Sequence, residues 1–221
     1  MKVEKSTHHY YASSRERHYS HPTIQAFSLP KYRWINQQLD IKGKTVLDVG
    51  SGNGYFAQHF EKDCQLTALD LSDNQLQYNP ASNKQVGSAY EIPFADNSFD
   101  IVFCSNLLHH LDKPEDAVKE MARVARKHVI INEPNRNNPI IFFGALLIPH
   151  ERRAVYSSRK YLAGMIKAAG LNIKKHTYLG GFVMPNGTPA FMLKAAMPET
   201  QLPFSFFQLF ITENVESSEG N

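Results

Sequence analysis

Three glycines at alternate positions, Gly50, Gly52 and Gly54, follow an acid, Asp48, within TVLDVGSGNGY (45–55). With Ser51 and Asn53 between the glycines, no other stretch of the chain is so clearly suited to receiving a ligand. Glycine is needed where the backbone takes positive φ or approaches a ligand more closely than a Cβ allows. The run before the turn (Thr45, Val46, Leu47, Val49) is β-branched and apolar. The run after it, YFAQHFEK, has helix formers with Phe56, Ala57 and Phe60 on one face, so the chain reads strand, turn, helix. Asp70 follows Gly50 by about 20 residues and closes a second apolar run, QLTALDL (65–71). An acid at that place in a βαβ unit accepts hydrogen bonds from vicinal ribose hydroxyls. The pair of features calls for a nucleoside without naming it.

Spacing separates the glycine-turn chemistries. A dinucleotide fingerprint G-x-G-x-x-G starting at Gly50 would require glycine where Tyr55 stands. A phosphate-cradling G-x-x-x-x-G-K-[ST] would require glycine at Gln38, and its Gly43–Thr45 precedes the strand instead of following it. What remains is D-x-G-x-G-x-G, Asp48 to Gly54, which resembles motif I of the Rossmann-like (class I) S-adenosylmethionine-dependent methyltransferases. GSAYEIPFADNSFD (87–100) closely resembles the run joining the third and fourth strands in the small-molecule members, and SNLLHHL (105–111) resembles their next motif. The likeness covers about residues 41–169 and points to enzymes similar to the ubiquinone and menaquinone biosynthesis methyltransferases.

This resemblance implies that S-adenosylmethionine is held by Asp48, Gly50, Ser51, Gly52, Asn53 and Gly54 at the turn and by Asp70 and Leu71 at the ribose. It puts Ser88 and Ala89 at the adenine and Asn106 and Leu107 at the methionine end. Where the family usually has Asp-Ala, this chain has Ser88-Ala89, so the adenine amino group would meet an uncharged acceptor, or backbone groups take over. The expected reaction is methyl transfer to a small, partly apolar acceptor, on O, N or C. A protein or RNA acceptor, or a non-catalytic cofactor-binding protein, is the alternative. A base is needed only if the acceptor must lose a proton. His109 or His110 would then be near its working pKa, although packing and holding the loop is the favoured role for the pair. Glu133 ends a fifth strand and is a substrate-side candidate. So are Tyr10, Tyr11 and Arg15, whether the N-terminal arm is a lid or a loose segment.

The elements that must position these groups form one α/β domain: a Rossmann-like three-layer sandwich with a mostly parallel seven-stranded sheet and an antiparallel last strand. Strands are expected at 45–49, 65–71, 84–88, 99–105, 127–133, 171–179 and 204–213. Helical pieces at 23–27 and 30–39 are expected to be divided by residues 28–30. Residues 1–40 read as an arm and helical lid, 41–213 as the methyltransferase domain, and 214–221 as a polar tail. Apolar segments at 139–149 and 181–203 are expected on the substrate side. The 139–149 run is too short for a bilayer span and reads as core or pocket wall in preference to an interfacial contact.

Bulk properties narrow the class. The 221 residues are 42% hydrophobic and 20% charged, as in a globular protein, and a net charge of +3 gives no electrostatic case for a nucleic-acid partner. Cys64 and Cys104 read as reduced thiols, and the start has no apolar signal core, so a cytoplasmic location is expected. His18-x-x-His21 lacks completing cysteines or paired carboxylates, so no metal is expected.

Overall fold

The computed structural model describes residues 18–180, 189, 192 and 202–214. Its strands are β1 (Thr45–Val49), β2 (Gln65–Asp70), β3 (Asn83–Val86), β4 (Phe99–Ser105), β5 (Ala125–Pro134), β6 (Leu171–Leu179) and β7 (Phe207–Asn214). They form one sheet in the order β3-β2-β1-β4-β5-β7-β6. The first five are parallel, and β7 is inserted antiparallel between β5 and β6. The helices are α1 (Pro22–Gln38), α2 (Ala57–Phe60), α3 (Asp73–Tyr78), α4 (Pro114–Val124), α5 (Pro139–Leu147) and α6 (Arg159–Ala168), with 3-10 turns at Leu108–His110 and Pro149–Tyr156.

Strand alternation sends side chains to two cores, as a parallel sheet covered on both faces requires. Leu47, Val49, Val102, Cys104, Val129 and Ile131 meet α4 and α6 on one face through Val118, Met121, Leu162 and Ile166. Val46, Ala68, Ile101, Phe103, Ile130 and Leu209 meet α1 and α2 on the other, through Phe27, Ile35, Ala57 and Phe60.

Two expectations about helices are revised. Residues 22–38 form a single helix, α1, with Pro30 inside it. Proline removes one backbone hydrogen bond, but Ser28 Oγ donates to the Ile24 carbonyl at 2.9 Å and Lys31 Nζ to the Phe27 carbonyl at 2.8 Å. Burial of Ile24, Phe27 and Ile35 on one face holds the two halves in line. The helix expected after the glycine turn shrinks to the single turn of α2. Among the described residues no helix is long and apolar enough to cross a membrane.

The segment leaving β5 is tied to the segment entering β7 by asparagines. Asn135 Nδ2 donates to the Pro203 and Ser205 carbonyls, each at 2.8 Å, and Asn138 Nδ2 to Phe204 at 2.7 Å. Asn138 Oδ1 also accepts from the Ile140 and Ile141 N–H groups, capping α5. This fixes where α5 leaves the sheet.

Phe103 is fully buried in β4, with its ring 4.9 Å from Phe56 and 5.2 Å from Phe60. Phe103→Ala should therefore lower unfolding free energy by about 3–5 kcal/mol in urea denaturation; a loss below about 1 kcal/mol would show that the aromatic cluster does not hold α2 to the sheet.

Candidate functional site

The turn after β1 needs its glycines for two separate reasons. Gly50 has φ +70° and packs so closely on the next motif that an added Cβ would lie 2.7 Å from Leu107 Cδ1. Gly54 has φ +84° and an added Cβ would run into the Pro80 ring and Asn79. The turn is cross-braced: Asn79 Nδ2 donates to Ser51 Oγ at 2.8 Å and to the Gly52 carbonyl at 2.9 Å. Ser51 Oγ in turn donates to Asp48 Oδ2 at 2.7 Å. Burial pushes the Asp48 carboxyl up to about 7, against the Ser51 hydrogen bond and with help from Asp70. Asp70, at the end of β2, accepts from the Gly52 N–H on one oxygen and the Ser72 N–H on the other, each at 2.8 Å. Each carboxylate oxygen has two acceptor sites, so these two bonds do not by themselves exhaust the carboxylate.

A second part of the site starts where β4 ends. Asn106 adopts φ +54° and its N–H donates to the Asn132 carbonyl at 2.9 Å. Glu133 then organises the following turn. Its Oε1 accepts from the Leu107 and Leu108 N–H groups at 2.9 and 2.8 Å, and its Oε2 from the His109 N–H at 3.3 Å and from Nδ1 at 2.6 Å. On the other side of the imidazole, His109 Nε2 is 3.3 Å from Glu151 Oε2. Burial alone would lower the His109 pKa, but Glu133 and then Glu151 outweigh it and push it up to about 10. Burial would raise Glu151, yet its bond and charge interaction with His109 pull it down to about 2. His110 goes the opposite way, down to about 3, through burial and then the neighbouring His109 charge.

These environments bear on two sequence readings. Neither histidine is a ready general base: His109 holds its proton too tightly, and His110 accepts one too poorly. Glu133 is 0% exposed and does not line the cavity; it stands behind the wall and positions the loop. The strand end put it near the crevice, but the direction of its side chain is set by the N–H groups it satisfies.

One cavity of about 710 Å³ brings the rest together. Asp48, Gly50, Ser51, Gly52, Asn53, Asp70, Leu71, Ser88, Ala89, Asn106, Leu107, His109 and His110 all line it, whereas Gly54 does not. Ser88 Oγ there accepts the Tyr90 N–H at 3.1 Å. The sequence reading missed Phe27, Tyr55, Phe207 and Glu151, which join from distant elements. The one available signal for Glu151 is that it is the only acid between residues 136 and 160. Ile140, Ile141, Ala145 and Ile148 of the 139–149 segment form an apolar side of the cavity, of which Ala145 is buried, whereas Ile140 and Ile148, like Phe143 and Leu147, are also exposed to solvent. No lysine or arginine is among the described residues that line the cavity. Tyr10, Tyr11, Arg15 and most of 181–203 lie outside the described residues.

Residues 47–131 match the family model described as a methyltransferase domain. This stretch of the chain is thus similar to a methyltransferase domain. An uncharacterized methyltransferase of Mycobacterium sp. (strain KMS) is 36% identical over 91 residues, covering 38% of this chain and 35% of that protein. A demethylmenaquinone methyltransferase of Corynebacterium glutamicum is 33% identical over 147 residues, covering 60% of this chain and 64% of that protein. The chain thus spans about one third to two thirds of the length of these curated relatives. A ubiquinone biosynthesis O-methyltransferase of Pseudomonas paraeruginosa is 24% identical over 168 residues, or 65% of this chain and 71% of that one. The fold is also that of a SAM-dependent methyltransferase from Aquifex aeolicus, with TM-score 0.64, 17% identity and coverage of 88% and 94% of the two chains. The domain motif therefore sits on the sheet order and cavity described above.

The raised His109 pKa has a defined sign. Stability from its two carboxylate partners is fully present below its ordinary value of 6.5 and is lost as pH rises through about 10. This lies above the titration of Asp48 at about 7. Chemical denaturation of the wild type should show stability falling between pH 7 and 10, and His109→Gln should flatten that fall. Equal slopes in the two proteins would show that the ion pairs carry no net stability.

Proposed function

We propose that the chain transfers the methyl group of S-adenosylmethionine to a small, partly apolar acceptor. The observation that carries this reading is the continuity of one cavity from the glycine turn and Asp70 to the apolar wall of α5. Asp70 would take the ribose hydroxyls, Ser88 and Ala89 the adenine, and the Gly50–Asn53 turn with Asn106 and Leu107 the methionine end. Gly54 contributes by shaping the turn. When bound, the cofactor would supply a methyl carbon on a cationic sulfur, a leaving group able to keep the C–S electron pair, to a lone pair of the acceptor.

The chain's own task is alignment and exclusion of water. Holding acceptor and methyl in line can account for roughly 7–11 kcal/mol of a barrier in favourable cases. Ile140, Ile141 and Ile148 supply an apolar surface against which an apolar acceptor would be held, shedding water as it packs there. The charge pattern supports a cationic ligand over a phosphate-bearing one. Asp48, Asp70 and Glu151 border the cavity with no described lysine or arginine there, and His109 is bracketed by two carboxylates. Names of similar proteins that point to quinone biosynthesis support a small-molecule acceptor with an apolar portion.

Titration calorimetry and thermal melts test the reading directly. S-adenosylmethionine should bind and raise the melting temperature, while NADH should do neither. Asp70→Ala should weaken cofactor binding roughly 10- to 100-fold, the effect of losing hydrogen bonds to a charged acceptor. Stabilisation by NADH alone would overturn the proposal, and unchanged affinity in the variant would remove Asp70 from the ribose site.

A further inference from the structure

His109, His110 and Glu151 meet in the cavity wall, and alignment of an acceptor does not by itself require that grouping. One donor atom from each side chain lies within 4.8 Å of the others. The separation of 3.3 Å between His109 Nε2 and Glu151 Oε2 suits two ligands of one ion. Donors about 2.0–2.2 Å from a tetrahedral zinc stand roughly 3.3–3.5 Å apart.

The support behind the first histidine is the arrangement that metal sites use. A ligating imidazole normally donates its other N–H to a carboxylate, which fixes the tautomer and the ring direction. Glu133, fully buried, takes His109 Nδ1 at 2.6 Å and leaves Nε2 facing Glu151. Three backbone N–H groups fix Glu133 in turn. The His110 ring centroid is 3.9 Å from that of His109, on the same 3-10 turn. All three candidate ligands line the cavity, so an ion there would be reached from it.

We propose that His109, His110 and Glu151 form a binding site for a divalent first-row transition ion, with zinc as the reference ion and a coordination position open to the cavity. Two imidazoles and one carboxylate suit zinc and its neighbours; magnesium and calcium prefer all-oxygen sets. The ion would lie between His109 Nε2 and Glu151 Oε2, now 3.3 Å apart. At the open position it would bind a hydroxyl oxygen of an acceptor and so favour oxygen over carbon as the methylated atom. Only this last consequence rests on the methyl-transfer reading; the metal site does not.

The test uses the full chain carrying His8→Ala, His9→Ala, His18→Ala and His21→Asn, which removes N-terminal histidines as competing ligands while keeping a capping side chain at position 21. After chelator treatment, zinc titration should show about one equivalent bound, and cobalt should give the visible absorption of a four- or five-coordinate site. Glu151→Gln should weaken zinc binding at least tenfold and abolish the cobalt bands; Glu151 is partly exposed, so its replacement leaves the fold intact, as circular dichroism will check. Glu133→Gln should keep the stoichiometry with roughly 10- to 100-fold weaker binding. Failure to bind zinc, or equal binding by Glu151→Gln, would overturn the site and leave His109 as an ion-pair partner only. S-adenosylmethionine titrated into the same samples separates the two proposals: cofactor binding without zinc overturns the metal site alone, and zinc binding without cofactor overturns the methyl-transfer reading alone.

Discussion

The buried carboxylate of Glu133 is the constraint on which the rest of the site depends. A charge taken out of water is costly unless hydrogen bonds and a partner replace the lost solvation. Here three consecutive backbone N–H groups and the His109 imidazole do so, and in doing so dictate the path of residues 106–110. That path decides where Leu107 lies. The Leu107 side chain occupies the space that a Cβ on Gly50 would need. The glycine at the end of β1 is therefore required partly by a carboxylate at the end of β5, two strands away in the sheet.

The sheet order explains why the two ends of the cavity differ. Strand β1 lies between β2 and β4, so the chain crosses from one side of β1 to the other, and a crevice opens above their carboxyl ends. Polar turn residues from β1 and β2 occupy that crevice. The opposite character comes from α5, which leaves β5 under the control of Asn135 and Asn138. An apolar helix of nine residues is thereby placed where a second molecule would meet the first.

How much of this was legible in the sequence follows from the range of the interactions. The strands β1 and β4 could be bounded from local pattern alone, because buried strands carry nearly unbroken apolar runs. The Gly50–Asn53 turn and Asp70 were legible as cavity residues for the same reason: the geometry they need is made by neighbours in sequence. Pro30 misled because its local cost is overcome by packing against a distant sheet. Glu133 misled because a strand end tells where a residue is but not which N–H groups its side chain will satisfy. Glu151 left almost no trace, since its meaning depends on His109 in another turn.

The two adjacent histidines show how far environment alone separates equal chemistry. His109 sits between carboxylates and is held protonated at neutral pH, whereas His110, next to that charge and itself largely out of water, is held neutral. Neither is then a ready general base, and the favoured role of the pair in the sequence, packing and holding the loop, stands unopposed. These environments leave a cavity whose described ionic groups are acids and an imidazole already bracketed by acids. Such a cavity opposes phosphate, and it compensates a positive centre that an apolar wall alone would reject. The proposed preference for a sulfonium nucleoside over a dinucleotide, which the glycine spacing raises at Tyr55, thus has electrostatic support from parts of the chain that share no motif with the turn.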